Sequence, residues 1–229
     1  MHIRYAAKTD PGLKRNHNED YFCLIEDEQL FLVADGMGGH ASGEVASKMA
    51  ADVIREFFAR SNRYPGHEQE AGSLIADAKE LLDGMVISDP SSNGLGTTVS
   101  GLVWSADSVF VINCGDSRVY RMENGKIDRI SHDHSLVQEL CDEGVITDDQ
   151  VYTHPLRNII TAVISGDPHR PAPPVMTASY PRYGTERFLV CTDGLWEVIR
   201  DPEIVSICSE PDITKATMEL LQTCLARGG

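Results

Sequence analysis

Long apolar runs are missing from this 229-residue chain. No stretch reaches the roughly 18 uninterrupted apolar residues that a membrane span needs, so no membrane insertion is expected. The opening MHIRYAAKTD has no apolar segment behind a basic start, so no secretory signal is read and a cytoplasmic protein is expected. Positive charge is also scarce: 20 Lys and Arg stand against 35 Asp and Glu, a formal net charge of -15. That balance argues against a nucleic-acid backbone or an anionic membrane as partner. Cys23, Cys114, Cys141, Cys191, Cys208 and Cys224 are scattered, with no pair at metal-ligand spacing. They read as buried free thiols in a reducing cytosol. The histidines are too dispersed for a zinc site. Neither a GxxxxGK[ST] loop nor a GxSxG elbow is present.

What is there reads as one layered α+β domain. Residues 3–7 and 20–26 read as short strands, and 30–35 (LFLVAD) as a buried one. After the Gly-rich DGMGGH, a helix is expected with Ser42 as its N-cap and Val45, Met49, Val53, Ile54 and Phe57 at helical spacing. Residues 67–86 read as a second helix. TTVSGLVW, SVFVINCG, RVYRM and KIDRIS are β-rich, with Asn124-Gly125 as a hairpin turn. Helices are expected over 134–143, 147–153, 202–209 and 212–226, and strands over 158–165 and 187–192. Arg227-Gly228-Gly229 suits a helix C-terminus.

Three apolar runs each end at an acid beside glycine: Asp35-Gly36, Gly115-Asp116 and Asp193-Gly194. Glu19-Asp20 directly precedes a fourth strand. One Asp-Gly after a strand is usually just a turn. Several, delivered to one sheet edge, would repel unless a cation lay between them. Such an all-oxygen site suits Mg²⁺ or Mn²⁺.

In order along the chain stand Arg15-Asn16-His17-Asn18-Glu19-Asp20, Asp35-Gly36-Met37-Gly38-Gly39-His40, Gly96-Thr97-Thr98, Gly115-Asp116-Ser117-Arg118, His132-Asp133-His134-Ser135, Asn158–Thr161 and Thr192-Asp193-Gly194-Leu195. This ordered set resembles the PPM family of metal-dependent protein serine/threonine phosphatases (type 2C) in its compact bacterial form. The resemblance implies a four-layer αββα sandwich of two antiparallel sheets. It implies two core Mn²⁺ or Mg²⁺ ions, with a weaker third in bacterial members. Asp35 would bridge the core ions and the Gly36 carbonyl would complete the second site. Glu19 and Asp20 would hold that second ion, largely through water. Asp193 would bind the first ion, and Asp116 with Asp193 would border the third. Arg15 would pair with substrate phosphate. Residues 133–170 would form a flap beside the site.

The implied activity is hydrolysis of phosphoserine and phosphothreonine on proteins, opposing a bacterial Ser/Thr kinase, by a monomer. Family members carry an Asp-Asn pair and a final strand after the last helix, whereas this sequence stops at Gly229. A trimmed sequence is the expectation. A weakened first metal site, with the fold used as a binding or regulatory module, is the alternative. A phosphohydrolase for small phosphoesters is a third reading. Ala162-Val163-Ile164-Ser165 stands where relatives usually carry Arg-Ala-Leu-Gly. Met37 stands where some eukaryotic members place a histidine, and His40 is assigned no acid role.

Overall fold

The computed structural model describes residues 3–25, 29–38, 42–61, 68–105 and 107–229. Strands β1 (Asp20–Ile25) and β2 (Leu30–Met37) pair antiparallel, with Asp20 opposite Asp35. Strands β3 (Gly96–Thr97) and β4 (Val99–Trp104) lie in one register along the other side of β2. Beyond them run β5 (Ser108–Cys114) and its neighbour β9 (Met176–Pro181), while the short β8 (Ile164–Ser165) pairs with β3. These seven strands form the first sheet. The second has three, β10 (Arg187–Cys191), β6 (Arg118–Glu123) and β7 (Lys126–Arg129), in the order β10-β6-β7. The β6–β7 turn has positive φ at both Asn124 (52°) and Gly125 (73°), as a two-residue type I′ hairpin requires.

Apolar cores lie between the four layers. Helices α1 (Ser42–Ser61) and α2 (Glu68–Ser88) cover the outer face of the first sheet, burying Leu30, Leu32 and Ala34 of β2 against Ala46, Ala50, Ile54 and Phe58. Phe31 of β2 points the other way, into a second core with Leu102, Val111, Val119 and Val190 between the sheets. A third core joins the second sheet, through Met122 and Leu189, to α6 (Asp201–Cys208) and α7 (Ile213–Ala226), through Ile204, Ile207 and Leu220. The αββα sandwich is therefore present. Because side chains alternate across a strand, Asp35 shares the inter-sheet face with Phe31, whereas Gly36 faces α1 with Ala34.

Several elements depart from the sequence reading. Residues 3–7 form no strand; Tyr5 instead sets its ring against Phe31, 5.7 Å between centroids. Residues 158–163 form no strand. They meet the start of α3 (Leu136–Asp142) through a single bridge, Ser135 to Ile160, while α4 (Asp148–Val151) follows α3 as expected. The stripe of α1 is centred on alanines rather than on Val45, which is exposed, and small side chains let that helix sit close to the sheet. Ser42 is the first helical residue, and the position before it lies outside the described residues, as do Gly39 and His40. Five of the six cysteines are buried and all are free. Among the described residues no helix is long and apolar enough to cross a membrane.

Candidate metal centre

Four of the predicted acids arrive at one end of the two sheets. Asp20 opens β1 and Asp35 lies near the end of β2. Asp116 follows β5, and Asp193 opens the short helix α5 (Asp193–Trp196) just after β10. The Thr192 hydroxyl donates to Asp20 Oδ2 at 2.8 Å and ties the two sheets together there. Two threonines hold the backbone of Asp35. Its N–H donates to Thr98 Oγ1 (3.0 Å), and its carbonyl accepts from Thr97 Oγ1 (3.0 Å) and from the Thr98 N–H (2.9 Å).

The carboxylates act on one another. Burial pushes Asp35 up to about 10, and Asp20, Asp193 and Asp116 add repulsion. Burial pushes Asp116 up to about 7, with Asp193 and Asp133 contributing. Asp20 is also raised, by burial and then by Asp193, against the Thr192 hydrogen bond that lowers it. Asp20 and Asp193 both act on the Asp35 carboxyl. Buried acids crowded together for want of positive charge are the setting in which a divalent cation favours the ionised form.

Glu19 and Gly36 sit beside this cluster. The Gly36 N–H donates to the Glu19 carbonyl at 3.1 Å, and the Ser47 hydroxyl donates to the same carbonyl at 2.7 Å. A Cβ on Gly36 would lie 2.1 Å from the Gly43 carbonyl oxygen and 2.5 Å from that of Glu19, so only glycine fits. Arg15 Nη1 donates to Glu19 Oε2 at 3.1 Å, with the Arg15 side chain 61% exposed at the rim. Glu19 Oε1 is buried and lacks a hydrogen-bond partner. Among the described residues no three acidic, histidine or cysteine side chains are so arranged that they could hold a metal ion as they stand. The donor set nevertheless fits Mg²⁺ or Mn²⁺: the candidate ligands are all oxygens, they repel one another, and one buried carboxylate oxygen lacks any partner.

Residues 14–226 match the family model described as protein phosphatase 2C. The chain belongs to the protein phosphatase 2C family. It is 32% identical over 229 residues to serine/threonine protein phosphatase PstP of Mycobacterium tuberculosis, aligning 99% of its own length but spanning only 43% of that protein's. It is 32% identical over 213 residues to serine/threonine phosphatase stp of Listeria welshimeri, covering 90% of this chain and 82% of that protein. The crystal structure of the PstP catalytic domain in complex with two manganese ions superposes with a TM-score of 0.85. That match has 28% identity and covers 98% of this chain and 92% of the other.

Two features of this protein phosphatase 2C chain went unread in its sequence. One is the threonine clasp on Asp35. The other is the set of contacts around Arg118, which is 1% exposed. Its Nε donates to Asp133 Oδ2 (2.9 Å) and its Nη2 to the same oxygen (2.7 Å). Nη1 donates to the hydroxyls of Tyr120 (3.0 Å) and Tyr152 (3.3 Å). The guanidinium carbon lies 3.6 Å from the Trp196 ring centroid, and the Trp196 indole N–H donates to the Asp116 carbonyl at 3.0 Å. The only signal for this was that Gly115–Arg118 and His132–Ser135 both belong to the family's motifs. Neither spacing nor periodicity points from one to the other.

Proposed function

We propose that this chain hydrolyses phosphoserine and phosphothreonine esters on proteins, opposing a Ser/Thr kinase in the cytoplasm and acting as a monomer. The observation that carries the reading is the convergence of Asp20, Asp35, Asp116 and Asp193 at one end of the sandwich, with Arg15 at the rim. Asp35, the Gly36 carbonyl, Glu19, Asp20 and Asp193 would hold two Mn²⁺ or Mg²⁺ ions, and Asp116 with Asp193 would border a third. Bound there, such ions would lower the pKa of water so that hydroxide is available near neutral pH, and would supply positive charge for the phosphoryl oxygens.

The chain's own residues do the rest. Arg15 is long, 61% exposed, and paired among the described residues with Glu19. A phosphate dianion offers its planar fork two parallel hydrogen bonds and draws it across. The threonine clasp fixes the backbone that carries Asp35, and the Thr192 hydroxyl orients Asp20. Residues 133–170 form the flap beside the site and supply contacts to the peptide around the phosphoresidue.

The test is phosphothreonine-peptide hydrolysis with Mn²⁺, with Mg²⁺ and with EDTA, running Asp193→Ala in parallel. Turnover that needs metal and disappears in Asp193→Ala is expected. A folded protein with no turnover under any metal would instead make the fold a binding module.

A further inference from the structure

Arg118 and Asp133 form an ion pair closed to water, with side chains 1% exposed each. Breaking such a pair strands a buried charge, yet exchanging both partners for apolar groups often leaves stability intact. Stability alone therefore does not account for its presence. Its contacts run in two directions. Asp133 begins segment 133–170, Tyr152 lies within it, and Arg129 donates both to Asp133 Oδ2 (3.2 Å) and to Gln138 Oε1 of α3 (2.8 Å). On the other side, Trp196 stands three residues after Asp193 on α5 and holds the Asp116 carbonyl. A second clasp lies alongside: the His134 N–H donates to the Gly115 carbonyl (2.9 Å), and the Gly115 N–H donates to His134 Nδ1 (3.1 Å). The return limb of the segment joins it through the Thr161 N–H to the His134 carbonyl, 2.8 Å.

We infer that Arg118 and Asp133 are a positioning pair: they fix the seat of segment 133–170 against the backbone that carries Asp116 and Asp193, so that cation binding at those carboxylates and ordering of the segment are linked. Linkage of this kind is reciprocal. The inference rests on the proposed metal centre. It goes further in assigning the coupling to one buried pair that touches neither substrate nor metal.

The experiment is hydrogen–deuterium exchange of the full chain with and without Mn²⁺, beside Mn²⁺ titration by calorimetry. It compares the parent, Arg118→Lys, and the double variant Arg118→Met with Asp133→Leu. In the parent, Mn²⁺ slows exchange in residues 134–161. In both variants, amides of Val99–Trp104 exchange as in the parent, Mn²⁺ binds about 10-fold more weakly, and the slowing over 134–161 is lost. Lysine retains the charge but not the fork or the stacking on Trp196, so loss in that variant separates geometry from charge. Mn²⁺ binding by the parent without any change over 134–161 overturns the inference by itself, whether or not a variant folds. So does a folded variant with parental slowing. If the parent binds no Mn²⁺, the metal-centre reading falls and the inference with it, which distinguishes the two failures.

Discussion

Gly36→Ala places one methyl group where the first sheet, α1 and the candidate site meet. The added Cβ would stand 2.1 Å from the Gly43 carbonyl oxygen and 2.5 Å from that of Glu19. Ordinary contact begins at 3.4 Å, so relief on the Gly43 side alone requires about 1.3 Å of backbone movement (3.4 less 2.1). Both obstacles are main-chain atoms and no rotamer change removes them. Overpacking in a filled interior costs about 1–3 kcal/mol, and the upper end applies here. The start of α1 or the Glu19 carbonyl must move, and both flank donors of the proposed site. A 1 Å misplacement of positioned groups can cost ~10²-fold in function. Urea denaturation should show a lower midpoint at unchanged slope, and calorimetric titration should show Mn²⁺ binding weakened by about that factor.

Gly43→Ala is the matched control. Its Cβ meets mainly the Glu19 carboxylate, with Oε1 at 2.6 Å and the Gly36 carbonyl carbon at 3.0 Å, and alanine in a helix gains up to about 1 kcal/mol over glycine. It should leave the urea midpoint near the parent's while still weakening Mn²⁺. Parental midpoint and parental Mn²⁺ affinity in Gly36→Ala would refute the reasoning.

Three further outcomes are expected. Arg15→Lys should lower kcat/KM for a phosphopeptide by about 10–100-fold, since charge-assisted hydrogen bonds are worth about 1.5–3 kcal/mol, with circular dichroism unchanged. Steady-state kinetics checks it, and an effect under threefold counts against a phosphate contact. In EDTA, burial and mutual repulsion push Asp116 up to about 7 and Asp35 up to about 10, above the ordinary 3.8. Their stabilisation is complete below pH 3.8 and is lost as pH rises through 7 and towards 10, so the melting temperature should fall between about pH 5 and about pH 8.5. Asp35→Asn should flatten part of that fall and Mn²⁺ should raise the melting point most at the higher pH; identical pH profiles for parent and Asp35→Asn would contradict it. Phe58→Ala, in the first core at 1% exposure, should cost about 3–5 kcal/mol by urea denaturation while leaving Mn²⁺ affinity of the folded protein unchanged.

The parts of the fold legible in the sequence are those written in local pattern. LFLVAD could be read as a strand ending in an acid because its apolar run has no helical gaps, and Asn124-Gly125 because positive φ selects those residues. The edge strand Met176–Pro181 escaped notice: MTASYP has little apolar character, and its pairing with β5 comes from the neighbour rather than from itself. Residues 158–163 erred the other way, β-branched but docked onto His134 and Leu136 instead of a strand. At the site, the acids beside glycine were visible. The layering, and the role proposed for each acid, came from the ordered family motifs. Thr98 holding Asp35 across 63 residues, and Arg118 holding Asp133 across 15, are choices of tertiary partner that no local window contains.

The bond between Thr192 and Asp20 joins positions 172 residues apart. Nothing shorter than the stretch from β1 through β10 can make it. A ribosome that has released only the first sheet has delivered Asp20, Asp35 and Asp116 but not Asp193, so a nascent chain holds an unfinished set of carboxylates. Contacts this distant in sequence also form late, because loop closure must precede them. Divalent-ion affinity should therefore rise abruptly once Thr192 and Asp193 have emerged and docked, rather than in step with synthesis, making cation uptake a report that both sheets have met.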